Sequence, residues 1–172
     1  GNLLWEVGDP SLDAHEPAEP TGEPPCRGIA FVFDIDEDDR SEVIAELWNG
    51  DRLELVVLDG ETGAVERRID SPFDMSVRHP EGYRPWRGHA VGAIAHLDGH
   101  DEAPSIIVKY GSSNRIPGYV VALSATLETR WRLQLDPNGV GHIPTIADID
   151  GDDRDEVVAG EAVIDHDGHL LW

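Results

Sequence analysis

Two stretches of the sequence set charged side chains at alternating positions: Asp34, Asp36, Asp38, Arg40 and Glu42, and again Asp148, Asp150, Asp152, Arg154 and Glu156. They match residue for residue. Carboxylates at positions one, three and five of a short loop converge when the backbone curls around a cation. Position seven then offers its carbonyl, so its side chain hardly matters and an arginine is tolerated. A last carboxylate at position nine completes an all-oxygen donor set. Such donors suit Ca2+, which takes about six to eight of them. Mg2+ favours a tighter octahedral shell with more water, and zinc or copper draws on His and Cys. Acidic groups this close in sequence repel one another without a cation, so the metal would also staple the turn between two strands. The sequence therefore predicts two Ca2+ sites. A single acidic turn is ordinary protein surface; the same spacing twice, each time between β-rich runs, sets these apart.

A third copy of the loop is eroded. His96, Asp98, His100, Glu102 and Pro104 fall at positions one to nine, and only Asp98 is a good calcium ligand. No calcium is expected there. His96 and His100 leave a transition-metal site as the alternative.

The elements around these loops read as strands. In the first copy 28–33 leads into the loop, and 43–47, 53–58 and 64–69 follow it, with a turn at Asp59-Gly60-Glu61-Thr62-Gly63. In the second copy the strands are 90–95, 105–110, 119–123 and 129–133. In the third they are 143–147, 157–159, 162–164 and 170–172, with a turn at Asp165-His166-Asp167-Gly168. β-Branched residues, short runs and Asp/Gly turns favour strands, and no stretch keeps a helical period. The loops begin at 34, 96 and 148, steps of 62 and 52 residues. Units of this size with about four strands each suggest the blades of a β-propeller. The expected class is all-β. Residues 1–7 form an outer strand of a preceding blade and 8–27 an acidic, Pro-rich loop. Residues 28–70 and 138–172 make blades with calcium loops, and 71–137 a blade with the degenerate loop. Gly1-Asn2-Leu3-Leu4-Trp5 resembles Gly168-His169-Leu170-Leu171-Trp172, so the chain starts and stops at one structural phase. Three blades and a strand are fewer than the roughly four to eight of a closed propeller. A segment of a larger propeller is expected, with the remaining blades as its partners.

Composition narrows the partners. Among 172 residues, 13 basic and 35 acidic side chains leave a formal net charge of −22. That sign argues against nucleic acid, whose phosphates are met by Lys and Arg, and against an anionic membrane surface. Bound divalent cations would offset it; so would a solvated acidic surface. The single cysteine, Cys26, excludes an intrachain disulfide, and no apolar run approaches the ~20 residues of a membrane span. The chain begins Gly1-Asn2 rather than with Met, so the lack of a leader carries little weight.

The pattern Asp-x-Asp-x-Asp-x-x-x-Glu followed by Val-Val or Val-Ile resembles the FG-GAP/VCBS class of calcium-binding propeller repeats. The segment Gly141-His142-Ile143-Pro144-Thr145-Ile146-Ala147-Asp148-Ile149-Asp150-Gly151, with Asp155-Glu156-Val157-Val158-Ala159-Gly160 and Ala162-Val163-Ile164-Asp165-His166-Asp167-Gly168 after it, is similar to the rhamnogalacturonan lyases of polysaccharide lyase family 11. Arg87-Gly88-His89-Ala90 through Gly99, with Ser105-Ile106-Ile107-Val108-Lys109, is compatible with a metal-poor blade of that family. The resemblance covers residues 28–172. It departs at Asp39 and Asp153, where the repeat usually has glycine; Asp reaches the left-handed conformation less readily.

The resemblance implies an eight-bladed, secreted propeller in the extracellular space or periplasm, with calcium in its blades and a polysaccharide as substrate. It also implies β-elimination beside a uronate, which needs a base for the proton next to the carboxylate and a cation to steady the charge that develops. Candidate bases or clamps are His142, His89, Lys109 and Tyr110, with Arg84 and Arg87 for a substrate carboxylate. None lies in a motif specific enough to name a catalytic residue. Trp48, Trp86 and Trp131 offer faces for sugar stacking, although Trp5, Trp131 and Trp172 stand at matching repeat positions and suit packing between blades. A non-catalytic calcium propeller for carbohydrate binding, adhesion or protein interaction is the alternative. A quinoprotein dehydrogenase propeller fits least, lacking convincing blade-closing tryptophan motifs.

Overall fold

The computed structural model describes residues 2–6, 30–48, 53–72, 91–110, 118–136 and 143–172, and contains β-strands joined by turns. The first sheet runs β1 (Phe31–Phe33), β2 (Glu42–Trp48), β3 (Leu53–Asp59) and β4 (Val65–Asp70), antiparallel and in sequence order. The second repeats that order with β5 (Val91–Ala95), β6 (Ser105–Tyr110), β7 (Gly118–Leu123) and β8 (Thr129–Leu135). The third pairs β9 (Thr145–Ala147), β10 (Glu156–Ala159) and β11 (Ala162–Ile164). Its fourth position is taken by the last residues: Leu170 bridges to Ile164, and Val163 N donates to Trp172 O at 2.7 Å. The expected all-β class is thus observed among the described residues, as three antiparallel sheets. No helix among the described residues is long and apolar enough to cross a membrane.

The sheets stack through apolar faces. Ile44, Leu55 and Val57 of the first meet Ile106, Val108, Val121 and Leu123 of the second. Ile107, Val120 and Ala122, on the second sheet's other face, meet Val157, Ala159, Ala162 and Ile164 of the third. Alternate residues of a strand face opposite sides. A strand covered on both sides therefore loses its polar alternation, and every residue of β6 is buried. Burying one such aliphatic side chain stabilises by about 1.5–3 kcal/mol, so this stacking outweighs the exposed ion pairs described below. The first strands lie side by side, β5 touching β1 and β9. There Gly92 meets the ring of Phe31 so closely that an added Cβ would lie 1.9 Å from it.

Each outer strand carries the same irregularity. Leu58 pairs Val65 and Val57 pairs Arg67, leaving Glu66 over; Leu123 pairs Thr129 and Ala122 pairs Trp131, leaving Arg130 over. Such a bulge adds one residue to one strand without a partner opposite. Residues 2–6, expected as an outer strand, form no ladder among the described residues. A strand is defined by the neighbour it pairs with, and none is present for them. What anchors them is Trp5, whose Nε1 donates to Gly60 O at 3.0 Å while its ring covers Gly63. Residues 8–27 lie outside the described residues.

Candidate metal centres

In both acidic loops the strand ladder brings the first and last ligand positions together. Phe33 pairs Glu42 and Ala147 pairs Glu156, so a nine-residue step closes into a single turn. Asp34, Asp36 and Glu42 then place carboxylate oxygens within 4.8 Å of one another, and Asp148, Asp150 and Glu156 do the same. Backbone amides hold the first aspartate: Asp34 accepts from Asp38 N and Asp39 N at 3.1 and 3.0 Å, and Asp148 from Gly151, Asp152 and Asp153 N at 2.7–3.2 Å. Glu42 and Glu156 reach back to the second loop residue, accepting from Ile35 N at 2.9 Å and Ile149 N at 2.7 Å. To make this turn the backbone goes left-handed at Asp39 (φ 68°) and Asp153 (φ 73°), and at Glu37 (φ 61°) and Gly151 (φ 83°).

The remaining predicted ligands stand apart from these three-residue groups. Asp38 and Asp152 each accept from the amide two residues on, that of Arg40 or Arg154, at 2.9 Å. The Arg40 side chain lies 3.6 Å from Glu61; the Arg154 guanidinium donates to His166 Nε2 at 2.9 Å. Neither arginine side chain approaches as a ligand, which leaves only the backbone role expected of position seven.

Burial makes the last glutamates unusual. Glu42 is 3% exposed and Glu156 1%. Burial pushes both carboxyls above the ordinary glutamate range, the amide bonds from Ile35 and Ile149 pull them back, and neighbouring aspartates push up again. Glu156 Oε1 is buried with no hydrogen-bond partner. A buried polar atom left unpaired costs about 1–3 kcal/mol, and more when charged. A divalent cation among Asp148, Asp150 and Glu156 would remove that cost and the mutual repulsion together, so the donor set present is one that would fit Ca2+. Glu156 also lies within 4.8 Å of Asp165 and His166, a neighbour the repeat pattern did not flag. His166 Nδ1 is 2.6 Å from Asp165 Oδ1.

The eroded loop is one residue longer than its neighbours. Ala95 pairs Ser105, so Ser105, not Pro104, occupies the place of Glu42 and Glu156. Counting nine from His96 missed this because an inserted residue shifts the count but not the ladder. His96 and His100 have ring centroids 4.7 Å apart. His96 N donates to Asp155 of the third unit at 2.6 Å, and Asp155 N donates back to His96 O at 3.1 Å. This loop is therefore tied to its neighbour through backbone.

At the far end of the sheets the candidates for chemistry are fewer. His142, His89, Arg87, Arg84 and Trp86 lie outside the described residues. Lys109, near the end of β6, is 2% exposed, and burial draws its pKa down. The Tyr110 hydroxyl donates a hydrogen bond to Glu46 Oε1 at 3.0 Å, and Ser71 Oγ donates to the same oxygen at 2.8 Å. Burial raises the pKa of both Glu46 and Tyr110. Sequence reasoning had no signal for Glu46, since its partners are 25 and 64 residues away.

With this geometry established, comparison with known proteins places the chain. The sequence profile of the rhamnogalacturonan lyase family 11 C-terminal domain matches residues 39–172. The chain belongs to this lyase family. Rhamnogalacturonan exolyase YesX of Bacillus subtilis is 30% identical over an alignment of 132 positions that covers 69% of this chain and 21% of that protein. Among solved structures, the exotype rhamnogalacturonan lyase YesX superposes with a TM-score of 0.72 at 23% identity, and rhamnogalacturonan lyase YesW with 0.70 at 24%. Each alignment covers 83% of this chain, and 29% or 30% of the other. A Bacillus licheniformis family 11 lyase superposes at 0.68. The V. cholerae biofilm matrix protein Bap1 shares the fold at 0.53 and 17% identity. The chain spans about a fifth of the length of the curated exolyase it matches.

Proposed function

We propose that this chain is a calcium-stapled part of a rhamnogalacturonan lyase propeller, acting on polysaccharide by β-elimination outside the cytoplasm. The observation that carries the calcium reading is the buried, unpartnered Oε1 of Glu156, whose carboxylate groups with those of Asp148 and Asp150. Asp34, Asp36 and Glu42 repeat the arrangement, giving two sites, with the carbonyls of Arg40 and Arg154 as further donors. The propeller reading draws on β1, β5 and β9 lying side by side while the other strands follow outward in order. Trp172, 75% exposed, takes the ladder place that Trp131 holds in the second unit, and in this reading it meets a further blade. The lyase reading rests on family membership.

Bound in the loops, Ca2+ would neutralise the carboxylates and fix each turn. Those loops open from the start of β2, β6 and β10, whereas Lys109 stands near the other end of β6. The loop ions are therefore staples rather than partners in the elimination. In that reaction a base takes the proton beside the uronate carboxylate, the adjacent C–O bond breaks, and its electrons leave with the departing sugar oxygen, which is then protonated. A lysine can act as base only when neutral, and burial favours its neutral form. Lys109 is the described candidate that meets this condition; His142, His89 and Arg87 remain candidates as base or clamp.

The test has two parts. Calorimetry with calcium on the metal-stripped chain should give two sites and a raised melting temperature. The complete protein, incubated with rhamnogalacturonan, should generate unsaturated uronate ends, and Lys109→Met should slow it by about a hundredfold or more, as loss of a general base does. Two calcium sites without unsaturated product would favour a binding or adhesive propeller. Absence of calcium binding would overturn the reading of the loops.

A further inference from the structure

The middle unit lacks the carboxylates of its neighbours, yet its loop closes between the same ladder positions. Ser105, fully buried, stands where the flanking units have Glu42 and Glu156. Asp98, at the third loop position, corresponds to Asp36 and Asp150. In the flanking units these two positions bring carboxylate oxygens within 4.8 Å of one another, and Asp36 also accepts from the Arg67 guanidinium at 2.7 Å. In the middle unit they converge on Arg130. Its NH1 donates to Ser105 Oγ at 3.0 Å, and its NH2 donates to Asp98 Oδ2 in a hydrogen-bonded ion pair. The guanidinium thus spans the two positions at which the other loops hold Asp36 or Asp150 and Glu42 or Glu156.

The origin of this arginine supports the correspondence. Arg130 is the bulge residue of β8. The bulge residue of β4, at the same place in the first unit, is Glu66, whose charge is felt by Glu42. Position 66 has the ladder place of position 130, next to Arg67, whose guanidinium donates to Asp36 of the first loop. In the first unit, whose loop is richly acidic, this position is acidic; in the middle unit, whose loop has lost its carboxylates, it is basic.

We infer that Arg130 is the built-in cation of the middle unit, its guanidinium filling the place that a divalent ion fills in the flanking units. For those flanking units the inference rests on the calcium reading above; the Arg130 clamp itself does not. A planar guanidinium has a rigid fork of donors suited to reaching two acceptors at once. Being covalently attached, it cannot be chelated or diluted away. The middle unit, covered by its neighbours on both faces, keeps its loop closed without metal, whereas the outer two loops open when calcium is withdrawn.

Hydrogen exchange of the complete chain, with calcium and with a chelator, tests this. In the wild type, chelation should speed exchange at 34–42 and 148–156 and leave 96–105 unchanged. Arg130→Gln should speed exchange at 96–105 by about tenfold, with calcium present or absent, because local opening governs protection. Placing Asp at 96 and Glu at 105 while removing the guanidinium (His96→Asp, Ser105→Glu, Arg130→Ala) should add a calcium site by calorimetry. Chelation that opens 96–105 as much as the flanking loops overturns the inference, and so does an Arg130→Gln chain whose 96–105 exchange is unaltered. If no loop responds to chelation while Arg130→Gln still opens 96–105, the calcium reading fails and the arginine clamp stands.

Discussion

The indole nitrogen of Trp131 donates to the carbonyl oxygen of His166 across 2.9 Å, joining the outer strand of one sheet to a turn of the next. Its ring lies on Gly168, where an added Cβ would come within 2.7 Å of it. Trp5 makes the same pair of contacts with Gly60 and Gly63. Between the first and second sheets Arg67 has this ladder place, and it donates to Ala125 O at 3.3 Å. The indole-on-glycine contact is thus used twice, and an arginine hydrogen bond takes its place between the first two sheets. Trp131→Phe should lose the hydrogen bond and about 1 kcal/mol. Trp131→Ala also loses the packing and should cost about 3 kcal/mol. Urea denaturation with an unchanged slope checks both; equal costs for the two variants would mean that packing is not what the indole contributes.

Glu156 and Glu42 should each control one calcium ion and not the other. Glu156→Gln keeps the shape and removes the charge, so calorimetry should find one site, that of the first loop. Glu42→Gln should leave the other, and the double variant none. Two sites surviving in either single variant would show that the buried glutamate is not a ligand.

Glu46 gives a pH dependence of definite sign. Burial is the largest influence on it and raises its pKa above the ordinary glutamate range; the bonds from Ser71 and Tyr110 only partly offset that. The folded state therefore holds this proton more tightly than the unfolded chain does. Its contribution to stability is fully present below the ordinary glutamate pKa and is lost as pH rises through the raised one. Glu46 Oε2 is then a buried charge with no hydrogen-bond partner. Glu46→Gln should be the more stable form at neutral pH, with the difference shrinking toward acid. Melting curves in chelator from mildly acidic to neutral pH check this, and parallel curves would contradict it.

Glu37 sits at φ 61° where the sister loop has Gly151 at 83°. A side chain in the left-handed region costs about 1–2 kcal/mol, while glycine's extra freedom in the unfolded chain costs about 0.5–1 kcal/mol. Glu37→Gly should therefore gain about 0.5 kcal/mol, and Gly151→Glu should lose a similar amount or more. A destabilised Glu37→Gly chain would mean that the Glu37 side chain makes a contact worth more than the strain.

The sequence made some of this legible for clear reasons. Strand placement followed from short β-branched runs. The flanking loops followed from acids two residues apart, because ligands close in sequence are close in space. The left-handed turns at Asp39 and Asp153 followed from the glycine usual there. Trp5 and Trp131 were marked by their shared repeat position. What escaped notice depends on separation along the chain. Arg130 meets Ser105 and Asp98 from 25 and 32 residues away, and the extra loop residue before Ser105 disguised the correspondence. The contact of Tyr110 with Glu46 spans 64 residues, and no local pattern announces it.

The bulge on each outer strand has a consequence for how these units diverge. Glu66 and Arg130 are the residues that the ladder passes over. A residue without a cross-strand partner answers to no pairing rule, so an acid or a base can stand there while the sheet around it keeps its register. It is the spare tooth of the gear: the one position where a unit can change its chemistry without changing its mesh.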